Sequence, residues 1–196
     1  MAPDDALRDR LVHVGAELLR TESPGTLSLR EIARRAGVSH GAPRRYFPTH
    51  LSLLSAIARS GFADLSAQIT TALGTTPEDP RSKITTIART YVRFAAANRS
   101  MFELMFRHDL LSSDGELGLR DASLPIFRLF TDLVEAARPV SPEVPAQVTA
   151  AAIWGALHGT AQLWNWGSLT LATEATDPIP FVDATLTAHL GPEGTR

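Results

Sequence analysis

Apolar residues recur at helical spacing along almost the whole chain, without the two-residue alternation of a strand. Leu7, Leu11, Val14 and Leu18 stand at i, i+4, i+7 and i+11, which predicts a helix over about residues 6–21 that the Ser23-Pro24-Gly25 cluster ends. Ser28-Leu29-Arg30-Glu31 then opens a second helix as a capping box: hydroxyl and carboxylate each satisfy an orphan amide of the first turn. Ile32, Ala33 and Ala36 give it a short buried stripe. Gly37 stops it in the left-handed conformation, and Ser39 is placed to cap a third helix over residues 39–46. Val38, Tyr46 and Phe47 are read as its inward supports and Gly41 as a point of close approach to the preceding helix. Pro43 falls near the first turn, where a missing amide matters little. Two helices joined by a three-residue turn containing glycine make a helix-turn-helix.

Pro48-Thr49 ends this segment and caps a long helix over residues 49–73, with Leu53, Leu54, Ile57, Phe62, Leu65 and Ile69 on its apolar side. A Thr- and Pro-rich loop over residues 74–80 marks the start of a second helical body. There Ile84, Ile87, Ala88, Tyr91 and Ala95 define one helix and residues 101–106 a short, very apolar one. Asp114-Gly115 breaks the pattern before a helix that holds Leu117, Leu124, Phe127, Phe130, Leu133 and Val134, bent near Pro125. Past Pro139, Pro142 and Pro145, two helices remain, over about residues 145–167 and 178–190. No hairpin signal, low-complexity run or internal repeat interrupts this series, so the expected fold is all-α.

The 196 residues are 44% hydrophobic and 20% charged, values of a folded globular chain. With no cysteine, disulfides, thiolate metal sites and cysteine nucleophiles are excluded. The acidic start Met1-Ala2-Pro3-Asp4-Asp5 lacks the basic and apolar regions of a secretory signal, and a cytoplasmic location is expected. The most apolar stretch, residues 150–166, contains His158, Gln162 and Asn165 and is too interrupted to span a membrane.

The formal charge of -2 hides an asymmetry. Residues 1–60 hold nine arginines against six acids, while the remainder is net acidic; between Ser28 and Ser60, six arginines face only Glu31. Such a block attracts phosphate backbones, although a solvated arginine face has the same composition. Gly37-Val38-Ser39-His40-Gly41 matches the nucleophile-elbow pattern of serine hydrolases, but that elbow follows a strand, and here a capped helix precedes it. No P-loop, zinc-protease motif or dinucleotide fingerprint occurs, so no catalytic residue, metal or cofactor is predicted.

Leu27-Ser28-Leu29-Arg30-Glu31-Ile32-Ala33-Arg34-Arg35-Ala36-Gly37-Val38-Ser39-His40-Gly41, followed by Tyr46-Phe47-Pro48-Thr49-His50 and Leu53-Leu54, resembles the DNA-binding module of the tetracycline-repressor (TetR) family of bacterial transcription regulators. The resemblance implies an N-terminal three-helix DNA-binding module, residues 1–58, whose linking helix runs on to about residue 73. Residues 59–196 would form a larger helical ligand-binding and dimerisation bundle. It implies a repressor that binds a near-palindromic operator as a homodimer, with the segment from Ser39 to Tyr46 in the major groove. On a 3.6-residue helix His40 and Arg44 share one face and Gly41 and Arg45 the next, with Ala42 between them. Arg44 and Arg45 carry planar forks suited to guanine or phosphate. The chain departs from the family here, where aromatics or histidine are common. Ser28, Arg30, His40, Thr49 and His50 stand at helix starts, where free amides favour phosphate; Thr49 also reads as a plain cap.

In the second body Phe94, Met101, Phe102, Met105, Phe106, Phe127, Phe130, Trp154, His158 and Trp164 are candidates to line a pocket for a small apolar or aromatic effector. Apolar residues at this spacing also serve as plain core, and His158 reads either as a ligand contact or as a hydrogen-bonded core histidine. Ala150, Ala151, Ala152, Gly155, Ala156, Gly159 and Ala161 let another helix approach closely. The resemblance assigns the last two helices to a homodimer interface; packing within the chain is the other reading. The alternative function is a helical small-molecule-binding or enzymatic protein with a vestigial helix-turn-helix.

Overall fold

The computed structural model describes residues 3–107, 118–138 and 143–192. The breaks expected at Asp114-Gly115, Pro139 and Pro142 lie outside the described residues, as does Leu117. The elements are α1 (Pro3–Leu18), α2 (Leu29–Arg35), a 3-10 turn (Ala42–Arg45), α3 (His50–Leu73), α4 (Pro80–Ala97) and α5 (Arg99–Met105). They continue as α6 (Leu119–Ala137), α7 (Ala146–Asn165), α8 (Ser168–Thr173) and α9 (Ile179–Leu190). The all-α expectation holds, with no strand among the described residues. The short α8 has no counterpart in the apolar pattern; it begins after Gly167, whose φ of +76° turns the chain out of α7.

The chain forms two compact units, Met1–Asp64 with Asn98–Ser123, and Leu65–Ala97 with Leu124–Arg196. In the first, Leu11, Ile32, Phe47, Leu53, Leu54 and Ile57 are buried together with Phe102, Leu104 and Met105 of α5. Leu11 and Leu18 carry most of the α1 stripe, while Leu7 and Val14 are only half-buried. Close approach is supplied by Gly15 rather than Gly41. A Cβ at Gly15 would strike the Ile57 side chain and lie 3.5 Å from Ile32 Cδ1, whereas one at Gly41 would meet nothing within 4 Å. Gly61 makes a second notch, since a Cβ there would fall 2.7 and 2.8 Å from the Met101 and Met105 sulfurs.

The second unit is built on α4, α7 and α9, each packed against the other two. Ile84, Ala88, Val92 and Ala95 of α4, Ile153, Leu157 and Ala161 of α7, and Ile179, Val182 and Leu186 of α9 are buried and make up its interior. Polar groups fix the register. The Arg89 guanidinium donates to both Asp183 carboxylate oxygens, at 3.0 and 2.8 Å, and buried Asn165 Nδ2 donates to the Ala95 carbonyl at 3.1 Å. At the start of α4, Asp79 accepts from the Arg81 and Ser82 amides at 2.9 and 3.2 Å, with Pro80 in the first helical position, where no amide is needed.

Candidate nucleic-acid interface

The first helix of the helix-turn-helix is capped at both ends by its own sequence. Ser28 is extended (φ -125°, ψ 146°) and its Oγ accepts from the Glu31 amide at 3.2 Å. The other half of the expected capping box does not form. The Glu31 carboxylate turns along the helix instead and accepts from Arg34 Nε at 2.8 Å and Arg35 Nε at 3.0 Å, one charge holding two guanidinia at i+3 and i+4. Arg34 and then Arg35 hold the Glu31 carboxyl down at about 2, against an ordinary 4.5. At the far end Gly37 has φ +69°; its amide donates to Arg34 O and the Val38 amide to Ala33 O, at 3.2 and 3.0 Å. These two bonds are a Schellman closure.

The expected helix over residues 39–46 is instead the single 3-10 turn Ala42–Arg45, with Gly41 at its N-cap position and no side-chain cap bond from Ser39. The reason is Pro43. An α-helix capped by Ser39 would need the residue-43 amide to donate to Ser39 O, and proline has none. The Ser39 carbonyl is taken by the Ala42 amide at 3.0 Å, and the Gly41 and Pro43 carbonyls by the Arg44 and Tyr46 amides at 3.2 and 3.0 Å, all i+3 bonds. Three residues per turn place Arg44 in line with Gly41 and Arg45 with Ala42, a different pairing of faces from the one a 3.6-residue helix gives.

Two apolar anchors hold the turn, buried Pro43 and Phe47, and the Arg8 guanidinium of α1 lies 5.5 Å over the Phe47 ring. Ser28, Arg30, Ser39, His40, Gly41, Arg44, Arg45, Thr49 and His50 are exposed; Ala42 and Tyr46 are half-buried. All eleven fall within the first unit, and the Arg44 and Arg45 side chains have no ion pair or hydrogen bond among the described residues. At the start of α3, Thr49 Oγ1 accepts from the Ser52 amide at 3.0 Å and Ser52 Oγ from the Thr49 amide at 3.2 Å. This reciprocal cap, with serine in the place usually held by glutamate, is legible in the sequence only as a lone capping threonine.

The ten effector candidates divide. Met101, Phe102, Met105 and Phe106 belong to the first unit, where the Phe106 ring stands edge-on to Phe62 at 5.6 Å and 4.9 Å from Phe102. Phe94, Phe127, Phe130, Trp154, His158 and Trp164 belong to the second. There Trp154, 40% exposed, meets Phe127 at 6.0 Å, while Phe94 and Phe130 are buried and His158 and Trp164 half-buried. Tyr91, read from sequence only as a core position, is the centre of a polar chain: Trp154 Nε1 donates to its Oη at 3.3 Å, and His158 Nδ1 lies 2.8 Å from the same oxygen. The indole N–H donates, while the direction of the phenol–imidazole bond follows the His158 tautomer: with the ring proton on Nε2 the phenol donates to Nδ1, and with it on Nδ1 the phenol accepts. Gln162 Nε2 lies 3.4 Å from His158 Nε2 and closes the chain on its far side. Burial pushes the Tyr91 phenol up and the His158 imidazole down from their ordinary values. A groove of about 680 Å³ lies elsewhere, in the first unit, floored by Val12, Ala16, Ala56 and Ala63; none of the ten candidates lines it.

Residues 84–189, more than half of the chain, match the family model described as tetracyclin repressor-like, C-terminal domain. The chain belongs to the tetracycline-repressor family. It is a DNA-binding transcriptional regulator of that family; such regulators bind DNA operators, act as dimers and take small-molecule effectors. Among solved structures it is similar to a protein of unknown function from Rhodococcus sp. RHA1, with 28% identity over 94% of this chain and 93% of that one and a TM-score of 0.79. It shares its fold with RolR in complex with resorcinol (19% identity, 97% and 90% covered, TM-score 0.66). The same holds for the repressor FadR of Thermus thermophilus in complex with lauroyl-CoA (19%, 96% of each chain, TM-score 0.67). No curated protein sequence matches the chain. Among the described residues no helix is long and apolar enough to cross a membrane, and no cluster of His, Asp and Glu could hold a metal ion.

Proposed function

We propose that the chain is a ligand-responsive repressor that binds a near-palindromic operator as a homodimer, reading each half-site with Arg44 and Arg45. The observation that carries this reading is the pair of exposed, uncommitted guanidinia on a turn anchored by Pro43 and Phe47 and preceded by a doubly capped α2. Residues 1–58 are the DNA-binding domain and residues 59–196 the ligand-binding and dimerisation domain. Ser28, Arg30, His40 and His50 position the backbone through phosphate; Thr49, whose hydroxyl is used in its cap, contributes through its helix start. The partner is a second copy, docked through α7 and α9. In support, α7 exposes Val148 and Leu163 (55 and 39%) and its C-cap exposes Trp166 (71%), and a Cβ on Gly155 or Gly159 would meet nothing within 4 Å, so a symmetry mate could approach the backbone there. Ala150 and Ala161 of the same helix face inward and serve packing within the unit.

The effector is a small apolar or aromatic molecule held by Phe127, Trp154 and His158 in the second unit. The relatives that bind resorcinol and lauroyl-CoA share the fold while their ligands share little, so the identity of the effector does not transfer. Release follows from preferential binding of the effector to the conformation with misplaced recognition turns, and extends only as far as that difference in affinity. Membership of a regulator family favours this reading over an enzyme with a vestigial helix-turn-helix. The test is selection of bound duplexes from a random pool, followed by screening small aromatic and acyl compounds for release. Recovery of a near-palindrome supports the reading, and failure to retain any duplex at low salt overturns it.

A further inference from the structure

Six arginines and a single acid lie between Ser28 and Ser60, and the structure shows that the acid is not idle. Glu31 accepts hydrogen bonds from Arg34 and Arg35 at once, at 2.8 and 3.0 Å, on the helix that packs directly against the 3-10 turn bearing Arg44 and Arg45. We infer that Glu31 is a specificity determinant: by holding Arg34 and Arg35 against α2 it withholds two cations from the phosphate backbone and leaves the readout to Arg44 and Arg45. The inference deepens the proposed function and rests on it.

The physical argument concerns where each kind of affinity comes from. Binding to arbitrary duplex scales with the number of phosphates neutralised, whereas discrimination comes from hydrogen bonds to base edges. Arg34 and Arg35 stand on the last turn of α2, 60 and 55% exposed, on long side chains that would sweep the surface beside the recognition turn if released. Tied to one carboxylate, the three side chains present a net +1 in place of +2, and both guanidinium forks are partly occupied. The loss falls on every sequence alike, so the ratio of operator to arbitrary DNA rises. Arg44 and Arg45 have no such partner among the described residues.

The experiment uses the full-length protein and its Glu31→Gln variant, titrated against the selected operator and against a duplex of unrelated sequence at several salt concentrations. The substitution keeps the residue-31 amide that Ser28 caps, and circular dichroism checks the fold. Each arginine released onto a phosphate adds about 0.9 to the slope of log affinity against log salt. The expected slope on unrelated duplex is therefore steeper by about 0.9 to 1.8 per protomer. The dimer carries two such sets, so between roughly 200 and 50 mM salt its affinity gains about 12- to 150-fold over wild type, with a smaller operator-to-unrelated ratio. Adding Arg34→Gln and Arg35→Gln to the variant should restore the wild-type slope, which a purely helix-stabilising role for Glu31 does not predict. A Glu31→Gln slope equal to or shallower than wild type, with wild type bound normally, overturns the inference alone; wild type that binds neither duplex overturns the DNA-binding reading itself.

Discussion

Replacing Tyr91 with phenylalanine removes one oxygen at the junction of three side chains, and its cost can be worked from their surroundings. The Oη accepts from Trp154 Nε1 and shares a hydrogen bond with His158 Nδ1, so both partners lose a bond made inside the second unit. A buried polar group left unmade costs about 1–3 kcal/mol. Trp154 is 40% exposed and recovers water, so the loss concentrates on half-buried His158, and the phenylalanine ring keeps the packing volume. The expected destabilisation is about 1–2 kcal/mol, read as a lower urea midpoint at unchanged m. The same geometry fixes a pH dependence. Burial lowers the folded-state pKa of His158 below its ordinary 6.5, so at pH values between the two the unfolded chain binds more protons and stability falls as pH falls. Wild type should therefore lose stability on acidification from about pH 7 to pH 5.5 faster than His158→Gln does. A Tyr91→Phe protein as stable as wild type would refute the hydrogen-bonded chain, and parallel pH profiles would refute a neutral His158.

Three further outcomes follow. Arg44→Ala and Arg45→Ala should leave helical content unchanged and weaken operator binding, by about 1–3 kcal/mol for each bidentate arginine–base pair removed, measured by fluorescence anisotropy; undiminished binding by both removes them from the interface. Ser55→Ala should stabilise the protein by about 1–2 kcal/mol, because Ser55 Oγ is buried with no hydrogen-bond partner among the described residues and alanine is the better helix former, and a lower melting temperature would show that the hydroxyl is bonded. Gly155→Leu with Gly159→Leu should keep the protomer folded, since both sites open onto empty space, yet yield monomers in sedimentation; an intact dimer would place the interface elsewhere.

Where one residue type admits a single local geometry, the sequence was enough. Ser28 at the cap, Gly37 at φ +69° and the apolar stripes of α3 and α4 each leave the chain few alternatives, and these elements stand where periodicity and capping place them. Where two local options compete, pattern alone could not choose. Glu31 can cap its own helix or pair with arginines three and four residues on; in this chain both arginines are present, and the charged pair wins over the neutral amide. Gly15 and Gly41 look alike in sequence, yet only Gly15 has a large side chain, Ile57, opposite it.

The recognition turn is the most consequential of these cases, because Pro43 changes what the arginines can reach. A full α-helix from Ser39 would set Arg44 and Arg45 about 100° apart on the second turn of a rod; a 3-10 turn spaces them by about 120° and lengthens the rise per residue from about 1.5 to 2.0 Å. The short turn cannot hold itself, and buried Pro43 and Phe47, with Arg8 over the Phe47 ring, do what helix length does elsewhere. It follows that the geometry in which Arg44 and Arg45 are presented is set from α1 and from the turn's own proline. Restoring the missing amide with Pro43→Ala should let the helix begin at Ser39, and the operator recovered by selection with that variant should differ from the wild-type one at the positions Arg44 and Arg45 read. Recovery of an identical sequence would mean that the proline shapes the turn without shaping recognition.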